Sequence, residues 1–301
     1  MNFVKFISHN SWIVIFVALV TGFVYPEAGL WVAPAVVYLL MILILLSTLD
    51  VKYRDILKQL HKVRIILTAL IVIHIALPLL VLLFKPLVSD DIFLGLIIAA
   101  AIPSGLSVIF FAKLFKGLPS EALVITMLSN MLSPFIVPTV VYVLAREIVS
   151  IDILGMMWTI VKIVFIPLIV ARLIRPTAIA KSIRNYSTPA SLVLLFLIII
   201  GLIAPLKSTI LSDPTQSILV SGIVLVLIVF ATVVGFMFGK GRQEKRTLLI
   251  TCSYKNYTLA TVTALTLFGP LVALPSILYT IMNNLILLPV QLFFKHRSKR
   301  S

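Results

Sequence analysis

Ten apolar stretches, each near the length that crosses a bilayer, constrain this chain more than any other feature. They run at about 11–26, 29–48, 65–84, 91–114, 120–145, 150–173, 188–206, 216–238, 246–268 and 270–294. A helix rises ~1.5 Å per residue, so roughly 20 apolar residues match a hydrocarbon core about 30 Å thick. The 301 residues are 61% hydrophobic and 12% charged, with a mean hydropathy of +1.19. No soluble core needs that much apolar surface, which leaves an all-α, multi-pass membrane protein.

The net charge of +15 invites a nucleic-acid reading, and the placement of the charges argues against it. With the N-terminus inside, the inner segments hold Lys5 and the basic groups at 52–64, 113–116, 172–184, 240–246 and 295–300. The outer loops hold only Lys85, Arg146 and Lys207, while Lys162 and Lys255 fall inside spans. That bias puts both termini in the cytoplasm of a cell-membrane protein whose surroundings are lipid and not nucleic acid. Losing one span would scramble the alternation. The segment Asp50–Arg64, with Val51, Ile56, Leu57 and Leu60 among its charges, suits an amphipathic interfacial helix or a solvated linker equally. The N-terminus shows no clear small-x-small cleavage site and more spans follow, so a signal peptide is not expected. One cysteine, Cys252, excludes an internal disulfide and any multi-cysteine metal site.

Span nine is unlike the others. Its centre carries Thr251, Ser253, Tyr254, Lys255, Asn256, Tyr257 and Thr258 in a nearly unbroken polar run. A lysine at mid-bilayer costs roughly 2.5–3.5 kcal/mol on insertion scales. Such a cluster persists only where it faces other helices or a wet cavity. Span four has its own interruption, Pro103-Ser104-Gly105. A weak internal similarity lays Leu114–Pro138 over Leu267–Pro289, pairing Gly117 with Gly269 and Asn130 with Asn283. The offset is about half the chain. With five spans in each half the second half enters upside down, so two inverted five-helix repeats are expected, 1–149 and 150–301. Interrupted spans at corresponding positions of such repeats point to a binding site at mid-membrane.

At these residues the sequence resembles the bile acid:sodium symporter family. The likeness rests on the break Pro103-Ser104-Gly105, on Ser129-Asn130 with Ser133-Pro134 in span five, and on Lys255-Asn256 in span nine. The resemblance implies a panel of spans 1, 2, 6 and 7 and a core of spans 3–5 and 8–10. Broken spans 4 and 9 would cross at the substrate and ion sites, and motion of core against panel would expose the crossover to each side in turn. Family members that use sodium typically place a glutamate and a glutamine in span nine, where this chain has Thr251 and Lys255. They also tend to carry a Ser-Asn pair after the span-four break, where it has Val108 and Ile109; Thr126 is retained. All ten acidic residues fall at span ends or in loops, so no carboxylate is left to ligate sodium or carry a proton through the membrane. Sodium coupling is therefore expected to be weakened or lost. No other cofactor or metal is implied.

Lys255 admits several roles. It could fill the vacated sodium position as a tethered cation, titrate and couple a proton, serve as counter-ion to an anionic substrate, or snorkel without a role. The candidate binding set is Lys255, Asn256, Thr251, Ser104, Thr126, Ser129, Asn130, Asn283, Asn284 and His74. Each polar member also has a bland reading as interhelical glue worth about 0.6 kcal/mol. For His74 a hydrogen-bonded buried imidazole is favoured over a proton relay. Lys162 reads as snorkelling, Gly235 with Gly239 as a weak packing motif, and Cys252 as a small packed residue.

The expected function is secondary or facilitated transport of a small organic anion by alternating access. Alternatives are a proton-coupled carrier using Lys255 and a metalloid permease, the latter disfavoured by the lack of a cysteine in span four. A sodium/proton antiporter would need buried aspartates. A membrane enzyme or receptor finds no support, since HExxH, intramembrane aspartate pairs, nucleophile motifs and soluble domains are all lacking.

Overall fold

The computed structural model describes residues 11–49, 51 and 59–298. They form α1 (Ser11–Val24), α2 (Pro26–Thr48), α3 (Val63–Leu87), α4 (Asp90–Ala101), α5 (Val108–Leu114), α6 (Pro119–Ala145), α7 (Ile153–Ile174), α8 (Ala178–Ser212), α9 (Pro214–Phe238), α10 (Gly241–Ser253), α11 (Tyr257–Leu267) and α12 (Pro270–Ser298). No β-strand occurs among the described residues, apart from one isolated bridge. Six helices, α2, α3 and α6–α9, are long and apolar enough to cross a membrane. Their outward side chains are apolar too: Trp31 is 87% exposed and Ile218 73%. Water would not tolerate such a surface, whereas lipid does. The protein is a multi-pass membrane protein.

Local chemistry sets the boundaries. Pro26 and Pro119 open α2 and α6 at positions where the missing N–H costs nothing. Asp152 caps α7 by accepting from Gly155 N at 2.9 Å, and Asp213 caps α9 by accepting from Gln216 N at 2.8 Å. The turns after α5 and α11 match one another. Gly117 N donates to Ala112 O at 2.7 Å and Gly269 N to Ala264 O at 3.1 Å, each reaching back five residues. Gly269 takes φ +99°, a value that favours glycine.

Two boundaries differ from the sequence expectation. The seventh expected span is helix α8, which runs from Ala178 to Ser212, well beyond 188–206, because its polar first turns extend past the apolar stretch while remaining helical. The first two spans are joined by Tyr25 alone, α1 ending at Val24 and α2 starting at Pro26, where 26 and 29 are expected. Residues 50 and 52–58 of the expected interfacial helix lie outside the described residues.

Close approaches tie the helices together. A Cβ on Gly29 would run into Ile200 O, and one on Gly201 would lie 2.6 Å from Val36, so α2 and α8 meet backbone to backbone. A Cβ on Gly95 would strike Val272 O, which locks α4 to α12. Gly235 packs on Leu248 O, at 2.6 Å from a notional Cβ; the GxxxG motif thus serves the α9–α10 hairpin. Lys162 is exposed, with its ammonium 5.4 Å from the Trp158 ring, as a snorkelling lysine would be.

Candidate functional site

Both interrupted helices break at the same place. Pro103 has no N–H to donate to Ala99 O, so α4 cannot continue. Residues 102–107 turn out of it before α5 starts, and residues 254–256 separate α10 from α11. The two extended segments lie antiparallel. Asn256 N donates to Pro103 O at 2.8 Å, Gly105 N donates to Tyr254 O at 3.1 Å, and Ser104 faces Lys255 in the isolated bridge. A Cβ on Gly105 would come within 3.0 Å of Lys255 O. Glycine therefore permits the contact.

Breaking helices in a dry interior leaves carbonyls without donors, and the predicted polar residues supply them. Ser104 N, which would close the last turn of α4 on Ala100 O, is drawn to Ser129 Oγ at 3.2 Å. Lys255 Nζ takes the vacated Ala100 O. It also donates to Ile73 O at 2.8 Å. That carbonyl is available because of a local sequence fault. Residues 72–76 of α3 adopt a π-turn in which Leu77 N donates to Val72 O. In the same register Ile73 O would need an N–H from Pro78, which has none. Lys255 is 2% exposed, and its ammonium sits on two helix carbonyls, one in the last turn of α4, where the helix dipole favours a cation, and one at the π-turn within α3.

His74 secures the next carbonyl. Its Nδ1 lies 2.8 Å from Ala101 O and its Nε2 2.8 Å from Ser129 Oγ. A carbonyl only accepts, so Nδ1 carries the hydrogen and Nε2 accepts the Ser129 hydroxyl. Asn130 Nδ2 donates to Ser104 O at 2.9 Å and to Thr126 O at 2.8 Å. Thr126 Oγ1 and Tyr254 O make longer contacts to Ser104 Oγ, at 3.5 and 3.4 Å. Thus Lys255, His74, Ser104, Thr126, Ser129 and Asn130 form one buried network behind the crossing. Thr251 is buried and bonds back to Thr247 O at 2.9 Å within its own helix.

A cavity of about 490 Å³ touches the crossing. Asn256 and Asn284 line it with Gly105, Ser107, Tyr254 and Thr258; Thr251, Asn283, His74 and the span-five residues do not. Asn256 Oδ1 accepts from Leu259 N at 3.2 Å, capping α11. Asn284 Nδ2 donates to Thr280 O at 2.7 Å. Asn283 is 2% exposed and its Nδ2 has no partner. The opposite wall comes from Ile15, Leu40, Ser47, Ser187, Thr188 and Ser191. Sequence reasoning passed over the serines and threonine of α8, because hydroxyls in an apolar helix read as ordinary glue; their spacing of one and three residues was the available signal.

Among the described residues no charged side chain but Lys255 lines the cavity, and its ammonium is held on carbonyls. Among the described residues no three His, Cys, Asp or Glu side chains gather as a metal site would need. Cys252 is buried and free.

A family model for the SBF-like CPA transporter family matches residues 10–288. Among known proteins, the chain is 22% identical to the Bacillus subtilis "uncharacterized sodium-dependent transporter YocS", over 95% of this chain and 92% of that one. It is 30% identical to the Bacillus subtilis "uncharacterized protein YbaS", over 70% of this chain and 72% of that one.

Proposed function

Because the chain belongs to the SBF-like CPA transporter family, we propose that this membrane transporter carries a small organic anion by alternating access, with the Lys255 ammonium standing where sodium-coupled relatives hold an ion. The observation that carries the proposal is Lys255 itself: a tethered cation coordinated by Ile73 O and Ala100 O inside the crossing. Main-chain oxygens freed at a helix end or at a break in helix register are the kind of ligand a sodium ion would use. An ammonium among them occupies the charge and the space, and repels a second cation.

Counting the six full-length helices with α1, α12 and the two broken pairs α4–α5 and α10–α11 supports a reading of ten membrane crossings. The matched turns at Gly117 and Gly269 are offset by the same 152 residues as Ala112 and Ala264, which supports two inverted repeats, 1–149 and 150–301. Helices α1, α2, α7 and α8 then form the panel, and α3–α6 with α9–α12 the core. The cavity lies between them. Its lining includes Ser47, Phe111 and Ser187, all near the ends that lead into the basic loops. With termini in the cytoplasm, it faces inward.

The same arrangement supports an anionic substrate. The carbonyl end of α4 faces Lys255, while the first residues of α11, Tyr257 and Thr258, line the cavity. A helix N-terminus is its positive end and attracts anions. Because Lys255 is engaged, the substrate's charge meets that N-terminus and the neutral donors of Asn256 and Thr258, not the ammonium. The name of YocS speaks of sodium dependence in that relative; here Lys255 makes sodium dispensable.

Thermal unfolding of purified protein against organic anions, in sodium and in potassium at equal ionic strength, tests both parts. Ligands that bind the native state raise the melting temperature. An anion that stabilises equally in both salts is expected. Stabilisation by no anion would defeat the substrate class, and stabilisation only in sodium would defeat the role given to Lys255.

A further inference from the structure

A second concavity shares no lining residue with the transport cavity. It is a groove of about 280 Å³ bounded by the Thr48 end of α2 and the flanks of α6 and α7. Met127 and Met131 of α6 face Phe165, Leu168 and Leu173 of α7 across it. Met131 is 42% and Leu173 67% exposed, so the groove opens on the surface that meets the bilayer. Between its methionines and leucines the groove offers water no polar partner, and a volume of about 280 Å³ is smaller than a single turn of a helix about 10 Å across. A flexible hydrocarbon chain fits it, and methionines adapt readily to such a chain.

One end of the groove is charged. Arg172, in the last turn of α7, lines it. The next turn brings Arg175, which ties down the end of α2 by donating to Val51 O at 2.6 Å. An arginine at the depth of the headgroups, at the end of an acyl-sized groove, matches an anionic phospholipid: phosphate on the guanidinium, one chain among the methionines and leucines.

We propose that this groove is a binding site for an anionic phospholipid from the leaflet at the C-terminal end of α7, with Arg172 holding the phosphate. The lipid touches α6 on one wall and α2 and α7 on the other. It therefore bridges the seam along which, in the transport cycle proposed above, the core slides on the panel. The site itself needs only that the helices span the membrane, so it stands or falls apart from the substrate and from Lys255.

The test is unfolding of the full chain in a neutral detergent with added palmitoyl-oleoyl phosphatidylglycerol or phosphatidylcholine, which carry identical chains. The wild type and Arg146→Gln, a control at the opposite end of α6, are expected to gain about 2–4 °C more from the anionic lipid than from the neutral one. Arg172→Gln loses that difference. Leu168→Trp, or Met131→Trp at the exposed lip should the first fail to fold, fills the groove and removes the response to both lipids. Equal stabilisation of the wild type by the two lipids, or an Arg172→Gln protein that keeps the preference, overturns the proposal. Native mass spectrometry gives an independent readout: phosphatidylglycerol retained by the wild type and shed by Arg172→Gln agrees with the site, and equal retention contradicts it.

Discussion

Lys255 and Pro78 are linked through a carbonyl that neither of them owns. Pro78 cannot supply the N–H that the π-turn of α3 demands at Ile73 O, and Lys255 Nζ supplies a hydrogen instead, at 2.8 Å. A defect in one helix is thus completed by a cation from a segment 182 residues away in sequence. The same ammonium completes the end of α4 at Ala100 O.

Replacing Lys255 by Met leaves both carbonyls facing a thioether. Each buried, unsatisfied acceptor costs about 1–3 kcal/mol. Removing the ammonium also removes its own desolvation cost, which offsets part of that loss. The net expectation is a destabilisation of about 1–3 kcal/mol, read as a lowered midpoint in thermal or denaturant unfolding.

Asn130 and Asn283, paired by the weak internal sequence similarity, differ in what they hold. Asn130 Nδ2 donates to two carbonyls, whereas Asn283 Nδ2 has no partner. Asn130→Leu should therefore cost about 2–4 kcal/mol and Asn283→Leu less than about 1 kcal/mol. Asn130→Asp, which even when neutral has a single hydrogen to donate where Nδ2 gives two, should recover only part of the loss. Unfolding midpoints of the three variants decide this.

His74 spans a carbonyl and a hydroxyl with one donor and one acceptor. Phenylalanine of similar shape supplies neither, at an expected cost of about 2–3 kcal/mol. Glutamine offers both on one planar amide and should recover more than half of that loss. If His74→Phe proves as stable as the wild type, the bridging role is wrong.

Two glycines give a packing contrast. A Cβ on Gly95 would meet Val272 O and stand 2.9 Å from Pro275 Cδ, while one on Gly222 meets nothing within 4 Å. Gly95→Ala is expected to destabilise by about 1–3 kcal/mol through overpacking. Gly222→Ala should be neutral or gain up to about 1 kcal/mol from helix propensity. Circular dichroism melts of both variants check the pair.

Much of this was visible in the residues. Hydropathy located the long helices, and Pro103-Ser104-Gly105 with the polar run around Lys255 marked the breaks that meet in space. What the sequence did not reveal depends on register and long-range pairing. The π-turn at 72–76 has no compositional mark, so nothing nominated Ile73 O as a partner for Lys255. Asn256 was chosen as a binding residue, and its side chain also caps α11, a role its place before a helical run permitted one to foresee. Thr251 was chosen for its position, yet its hydroxyl turns back on Thr247 O, as threonines in helices often do. The hydroxyls of Ser187, Thr188 and Ser191 gain meaning only once α8 is seen to wall the cavity.

Equilibrium binding of radioactive sodium to the purified protein tests the role of Lys255 most directly. The wild type is predicted to show no saturable sodium site, and Lys255→Ala, with the carbonyls of Ile73 and Ala100 freed, to acquire one that potassium does not fill. Saturable, sodium-selective binding with Lys255 intact would contradict the account.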